Sequence, residues 1–262
     1  MPGEAAAQAA SDLLFGHWRD GTVLDDLPAA LRPATRAEGY AVQARLEARS
    51  ARPLSGWKIA ATSAAGQRHI NVDGPLAGRL LAEMVHGDGA ALPFGANRMR
   101  VAEAEFAFRM GRDLPPRAAP YAAEEAMAAV ASLHPGIEVP DSRFADFARA
   151  GAPQLIADNA CAHRFVLGPA AEADWRGLDL AAHPVRGSVD GAAAEGHGGN
   201  ALGDPRLALA WLANELSGFG ITLAAGQVVT TGTCLVPMPV GPGVEVVADL
   251  GILGRARMRF TG

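Results

Sequence analysis

Two hydrophobic patterns divide this chain near residue 53. Residues 4–50 read as helical. An Ala-rich segment runs through Trp18, and Thr35-Arg36-Ala37-Glu38 has the spacing of a capping box. The run behind it places Tyr40, Val42 and Leu46 on or near one helical face, and Arg52-Pro53 closes it. This predicts a helical N-terminal subdomain over residues 1–53 and a separate domain over 54–262. From Leu54 onward, short apolar runs bounded by Gly, Pro, Asn and Asp predict strands. They fall at 56–62, 80–85, 90–93, 100–110, 136–140, 164–167, 185–189, 227–231, 244–250 and 255–260. Helices are expected at 66–72, over the Ala-rich stretch 122–133, and at 206–219. Glu124 and Glu125 suit the first turn of the second of these. Asp204-Pro205 is a start signal for the third. Residues 73–78 and 111–120 read as loops, Asp158-Asn159 as a turn and Asp190-Gly191 as a hairpin tip. Gly196-His197-Gly198-Gly199 reads as flexible. The pattern is that of an α+β chain; periodicity leaves its topology open.

The strand at 100–110 is the one whose polar positions need explaining. It reads V-A-E-A-E-F-A-F from Val101. Side chains alternate between the faces of a strand, so Glu103 and Glu105 share one face while Ala104, Phe106 and Phe108 share the other. The Phe face calls for a core. The Glu face carries two like charges side by side, which either raises a pKa or requires a counter-charge. Gly136-Ile137-Glu138-Val139-Pro140 adds a third glutamate between two β-branched residues in a strand-like setting. Carboxylates in apolar strands are costly unless they are paired or bound to metal. Three of them form an all-oxygen donor set, which suits Mg²⁺ or Mn²⁺ better than Zn²⁺. A half-buried strand with a solvated acidic face is the alternative for the first pair alone.

Composition sharpens one position. Of 23 basic residues, a single one is lysine, Lys58, in Gly56-Trp57-Lys58-Ile59-Ala60. Lysine is a compact charge whose pKa moves with its surroundings, and arginine is not. Its apolar neighbours Trp57 and Ile59 point to a partly buried ammonium with a carboxylate or an anion beside it. The net charge of -5 and the lack of a basic stripe argue against nucleic acid as a partner. No apolar run approaches the length of a membrane span. Two cysteines, Cys161 and Cys234, are too few for a disulfide framework. With no basic and apolar leader at the start, a cytoplasmic location is expected. The seven histidines form no zinc spacing. His69, His86, His134 and His163 are expected to be structural or surface residues, and His197 a solvated loop residue. Cys161 lacks a recognisable His partner and is expected to be a packed thiol. No Walker A, G-x-S-x-G or dinucleotide G-x-G-x-x-G element occurs.

Several stretches carry a resemblance. They are G-W-K-I-A-A-T-S at 56–63, V-A-E-A-E-F-A-F-R-M-G-R-D-L at 101–114 and G-I-E-V-P-D-S-R at 136–143. Further ones are A-D-N-A at 157–160, F-V-L-G at 165–168, A-L-A-W-L-A-N at 208–214 and T-T-G-T at 230–233. From about Leu54 to the C-terminus the chain resembles the 2-keto-4-pentenoate hydratases and the 2-oxo-hex-3-enedioate (4-oxalocrotonate) decarboxylases. These belong to the fumarylacetoacetate hydrolase superfamily. The resemblance implies a fumarylacetoacetate-hydrolase-like mixed β-sandwich roll with an α-helical N-terminal part. It also implies a divalent metal, usually Mg²⁺, on Glu103, Glu105 and Glu138, with Lys58 as the active-site lysine. Thr231, Gly232 and Thr233 fall at a turn near the substrate carboxylate.

Two positions depart from the family pattern. The family hydratases often read V-D-x-P-D-F-G after the lysine strand, and the second Asp corresponds here to Leu76. A Ser commonly follows D-N-A, where this chain has Cys161. Leu76 and Cys161 are therefore expected on the substrate pocket wall, with a carboxylate missing from it. The resemblance implies a hydratase acting on a 2-oxo-alkenoate in the breakdown of aromatic compounds. The alternatives are a 2-oxo-acid decarboxylase, an acylpyruvate-type C–C hydrolase and a non-catalytic metal-binding partner subunit. A homo-oligomer is implied, with possible association with a paralogous decarboxylase.

Overall fold

The computed structural model describes residues 3–262. Helix α1 (Glu4–Asp20) ends at Gly21, whose left-handed backbone (φ 64°) turns its N–H onto His17 O. Helix α2 (Arg36–Ala44) begins at Thr35, and both arms of the capping box are made with Glu38. A 3₁₀ turn, Arg45–Arg49, finishes this lead. Strand β1 (Gly56–Ala60), helix α3 (Ala64–His69) and strands β2 (Leu76–Leu80), β3 (Val85–Gly87), β4 (Ala90–Pro93) and β5 (Val101–Met110) follow. Next come α4 (Ala123–Met127), β6 (Val130–Val139), α5 (Phe147–Ala150), α6 (Ala152–Ala157) and β7 (Arg164–Leu167). Strands β8 (Pro184–Val189) and β9 (Ala192–His197) form a hairpin. Helix α7 (Pro205–Gly218) and strands β10 (Val228–Thr233), β11 (Met238–Pro239), β12 (Glu245–Asp249) and β13 (Arg255–Thr261) complete the chain.

The strands make two sheets. The larger runs β2-β1-β10-β5-β6-β7-β3, with β11 also paired to β5; the smaller runs β4-β13-β12-β8-β9. Strands β12 and β13 pack across β5, β6 and β7, so the sheets face each other. The Phe face of β5 fills the space between them. Phe106 and Phe108 are fully buried, in one cluster with Val246, Ala248, Ala256, Met258 and Phe260. Each Phe gains roughly 1.5–3 kcal/mol by leaving water. The alternation read from the sequence thus sets the orientation of β5, and the opposite face is left to the glutamates.

Local chemistry accounts for several boundaries. Asp190 and Gly191 both have positive φ (46° and 84°), as a two-residue hairpin turn requires. Asp204 caps α7 by accepting from Arg206 N, with Pro205 at the first helical position.

Three expectations are corrected. The Ala-rich stretch is helical only over Ala123–Met127; residues 130–133, expected to continue the helix, begin β6. Pairing with β5 overrides local propensity there, joining Ser132 to Arg109 and Leu133 to Phe108. Pro135 is tolerated mid-strand because its ring nitrogen lies on the side facing the end of β7, where Gly168 N donates to Pro135 O. Residues 76–78 are not loop but the first half of β2. Gly196 and Gly198 are not free hinges. A Cβ on either would lie 2.0 Å from a carbonyl oxygen, of Cys234 or Leu180 respectively.

Strand β2 is an edge of the larger sheet, and its outward backbone groups are covered by side chains. Ala77 N donates to Tyr40 Oη (3.1 Å), and Gln43 Nε2 donates to Ala77 O (2.8 Å). Arg79 N donates to Asn159 Oδ1 (2.6 Å), and Asn159 Nδ2 donates to Arg79 O (2.8 Å). Helix α2 and the turn after α6 thereby close an edge that would otherwise be open to further pairing.

Candidate active site

Adjacent strands bring three carboxylates together. Glu103 and Glu138 are direct cross-strand partners between β5 and β6, and Glu105 lies two residues along β5 opposite Gly136. Glu103, Glu105 and Glu138 each offer an oxygen, all within 4.8 Å of one another. Glu105 and Glu138 are fully buried, and Glu103 is half-buried. Glu105 Oε2 accepts from Gly232 N (2.9 Å) and from Thr230 Oγ1. Glu105 Oε1 and Glu138 Oε2 are buried without a hydrogen-bond partner. Like charges directly opposite on a sheet are destabilising. Burial pushes the Glu103 carboxyl up to about 7, with a further push from the Glu138 charge. Burial also holds Glu105 well above the usual carboxylate range, helped by the charges of Glu138 and Glu103.

This donor set fits a hard divalent cation. Mg²⁺ holds oxygens at about 2.1 Å, which places two ligands at most ~4.2 Å apart. Small side-chain movements would bring the trio to that spacing, and the two unpartnered oxygens are the ones left for a cation. The proton and the cation then compete. Glu103 is raised in the folded state, so its protonated form favours the fold at low pH. That contribution is lost as pH rises from the ordinary carboxylate value through about 7. Saturating Mg²⁺ is therefore expected to raise the unfolding temperature more at pH 8 than at pH 5. Calorimetric melts at both pH values check this, and an equal increment would contradict it.

Lys58 supplies a fixed cation beside the trio. It is 3% exposed in β1, its Nζ lies 2.9 Å from Glu138 Oε1, and Nζ donates to Ala160 O (3.1 Å). Burial alone would depress the ammonium, but the charges of Glu138 and Glu103 outweigh it and hold the group above its ordinary value. Gly78, across from Lys58 on β2, leaves room for the lysine stem. A Cβ there would lie 2.4 Å from Asn159 O and 3.0 Å from Lys58 Cγ and Cδ.

Asn159, Ala160 and Cys161 all have left-handed backbone (φ 56°, 50° and 61°). For residues with a Cβ this costs on the order of 1–3 kcal/mol each. The Cys161 thiol is buried, close enough to feel the Lys58 charge, and pushed up to about 12 by burial and then by Asp158. It is a neutral packed group at neutral pH.

Leu76 is fully buried in β2 and belongs to the main hydrophobic core. Gly232 (φ 98°) sits against Thr62, where a Cβ would lie 2.1 Å from Thr62 Oγ1. Thr231 Oγ1 donates to Phe106 O (3.1 Å), and Thr233 Oγ1 donates to Leu235 O (2.7 Å). Both of these hydroxyls are committed to backbone. Thr230, Gly78 and Asn159 are neighbours of the site that the sequence did not single out. Thr230 lies in the T-T-G-T run and pairs with Ala107 of β5, which puts its hydroxyl on the Glu105 face; the pairing of these distant strands is what selects it. His134 bonds Ser132 and Gly168 O, a structural role. Two clefts lined by Trp18 and Arg143 lie away from the glutamates.

The fumarylacetoacetate (FAA) hydrolase C-terminal profile matches residues 78–261. A 2-keto-4-pentenoate hydratase from Burkholderia vietnamiensis is 36% identical over 207 residues, 79% of this chain and 78% of that protein. A 2-hydroxyhexa-2,4-dienoate hydratase from Comamonas testosteroni is 35% identical over 222 residues, 83% and 82% of the two chains. A solved 4-oxalocrotonate decarboxylase from Pseudomonas putida G7, complexed with magnesium and adipate, superposes with a TM-score of 0.87. It is 26% identical and covers 97% of each chain. With a matched profile over most of its length and relatives above 30% identity across most of theirs, this chain belongs to the fumarylacetoacetate hydrolase family.

Proposed function

We propose that this chain is a Mg²⁺-dependent hydratase that adds water to a 2-oxo-alkenoate in the degradation of aromatic compounds. The observation that carries this reading is the trio Glu103, Glu105 and Glu138, two of them buried, with two unpartnered oxygens and Lys58 alongside. The relatives named as hydratases support it. A divalent cation held by the trio supplies Lewis-acid polarisation of a substrate carbonyl. The chain's own groups do the rest. Thr230 Oγ1 and Gly232 N fix one oxygen of Glu105, so its other oxygen is presented in one direction. Lys58 Nζ donates a hydrogen bond to oxyanion character developing on the substrate, or passes a proton to it. The surrounding strands exclude bulk water and strengthen these interactions.

The decarboxylase reading is the second one, favoured by the full-length superposition on a decarboxylase. Both reactions need electrons withdrawn toward the same carbonyl, so the trio alone does not separate them. Products do. Purified protein with Mg²⁺ is expected to consume 2-hydroxyhexa-2,4-dienoate, losing its conjugated absorbance without releasing CO₂, and EDTA stops this. Leu76 replaces a proton-transfer carboxylate of the family pattern, so turnover of 2-hydroxypenta-2,4-dienoate is expected to be poor. CO₂ release from 2-oxo-hex-3-enedioate as the sole turnover would replace hydration with decarboxylation. Pyruvate release from an acylpyruvate would replace both with C–C hydrolysis.

A further inference from the structure

The hydrogen bond from Lys58 to Ala160 O comes from an unusual piece of backbone. Three consecutive residues with a Cβ, Asn159, Ala160 and Cys161, are left-handed. L-residues adopt that conformation singly and reluctantly, so the surroundings must hold it. Two anchors do so. On one side, Asn159 makes a paired hydrogen bond to both backbone groups of Arg79, acting as a stand-in for a neighbouring strand at the edge of β2. On the other, the Asp158 carboxylate accepts from Ser142 Oγ and from Arg143, and Asp158 O accepts from Arg143 Nη2. Arg79 is directly opposite Trp57 in β1, the residue before Lys58. The Asn159 clamp therefore ties the turn to the strand pair that carries the lysine.

We propose that Asn159 is a positioning residue for Lys58: its clamp on the β2 edge holds the left-handed turn that presents Ala160 O to Lys58 Nζ. The assignment rests on the reading of Lys58 as the active-site lysine. Glu138 is the other partner of Nζ, and Glu138 also belongs to the trio. A cation bound there draws on the same carboxylate. The Ala160 carbonyl is a partner that does not change with the occupancy of the trio, so it keeps Nζ in place when Glu138 is engaged elsewhere. Asn159 itself touches neither the trio nor Lys58 Nζ through its side chain; both of its amide groups are spent on Arg79.

The single lysine makes this directly observable. Protein labelled with ¹⁵N-lysine carries one lysine Nζ resonance, and Lys58 is its source. In the metal-free wild type this resonance is expected to be sharp, because Nζ is buried between two acceptors. Asn159→Ala is expected to shift or broaden it and to lower kcat about 10- to 100-fold, as a displacement of about 1 Å does. Mn²⁺ affinity and KM should change less than threefold. Adding Ala160→Gly, which relieves the left-handed strain, should restore both the resonance and much of kcat. If Asn159→Ala does not fold, Asn159→Asp, which keeps the size but loses the donor, is read in the same way. A resonance and kcat unchanged by loss of the clamp would overturn the proposal. So would a kcat loss matched by an equal loss of Mn²⁺ affinity and not recovered by Ala160→Gly. The underlying reading fails differently: Lys58→Met would then keep full kcat, while in the variants that retain Lys58 the resonance would still report on the clamp.

Discussion

Glu105→Gln is expected to remove metal-dependent turnover, lowering kcat/KM by about 10³-fold or more. The direction follows from the hydrogen bonds already made. Thr230 Oγ1 and Gly232 N both donate to Glu105 Oε2, so that position must remain an oxygen. A glutamine would keep its carbonyl oxygen there and turn its NH₂ toward Glu103 and Glu138. An NH₂ group has no lone pair to offer a cation. A lost metal contact is worth several kcal/mol in the transition state, and each ~1.4 kcal/mol is tenfold in rate. Stability should move the opposite way. One of three mutually repelling carboxylates is gone, so metal-free Glu105→Gln is expected to melt at a higher temperature than metal-free wild type at pH 8. Kinetics and melting with and without Mg²⁺ check both signs. Full activity in this variant would sink the metal assignment.

Lys58→Met has the second-largest expected effect. Methionine roughly keeps the length of the buried stem and removes the charge. Loss of a positioned proton donor lowers kcat by about 10²- to 10⁴-fold. The metal-free protein should also lose stability, because Glu138 is left as a buried carboxylate with its counter-charge removed. Breaking a buried pair in this way costs about 3–5 kcal/mol. Saturating Mg²⁺ should recover part of the lost stability and none of the lost rate, since the cation replaces the charge but not the proton. Lys58→Arg is not a safe substitute. The close packing of the lysine stem against Gly78 and the single carbonyl of Ala160 fit a compact ammonium rather than a planar fork. Activity within tenfold of wild type in Lys58→Met would remove Lys58 from the chemistry.

The placement of the trio joins these two expectations to the fold. Glu103, Glu105 and Glu138 sit on the one face of β5 and β6 that the hydrophobic core does not claim. The core side packs Phe106 and Phe108 against the second sheet. On their own face Glu105 and Glu138 are buried beside a second small cluster that includes Ala107 and Phe165, and burial together with the neighbouring carboxylate charges raises the pKa values of Glu103 and Glu105. Described helices include none long and apolar enough to cross a membrane.

Much of this was legible from residue order alone. The period-two alternation of 101–108 set which side chains of β5 face the core, because that alternation is a property of any extended chain. The lone lysine and the glutamate at 138 stood out because a buried charge needs a reason wherever it occurs. Capping residues Thr35 and Asp204 and the Asp190-Gly191 turn were readable because they act within a few residues of themselves. What only the tertiary structure decided are the relations between distant segments. The Ala-rich stretch at 130–133 is strand because β5 pairs with it, and no local preference records that. Thr230 rather than Thr231 meets Glu105 because β10 pairs Thr230 with Ala107, whose side chain shares the Glu105 face of β5. Gly78 and Asn159 matter to Lys58 through contacts 20 and 101 positions away along the chain, where backbone passes too close for a Cβ or an edge strand lacks a neighbour. Sequence specifies the charges that must be buried; the pairing of strands decides which of them share one space.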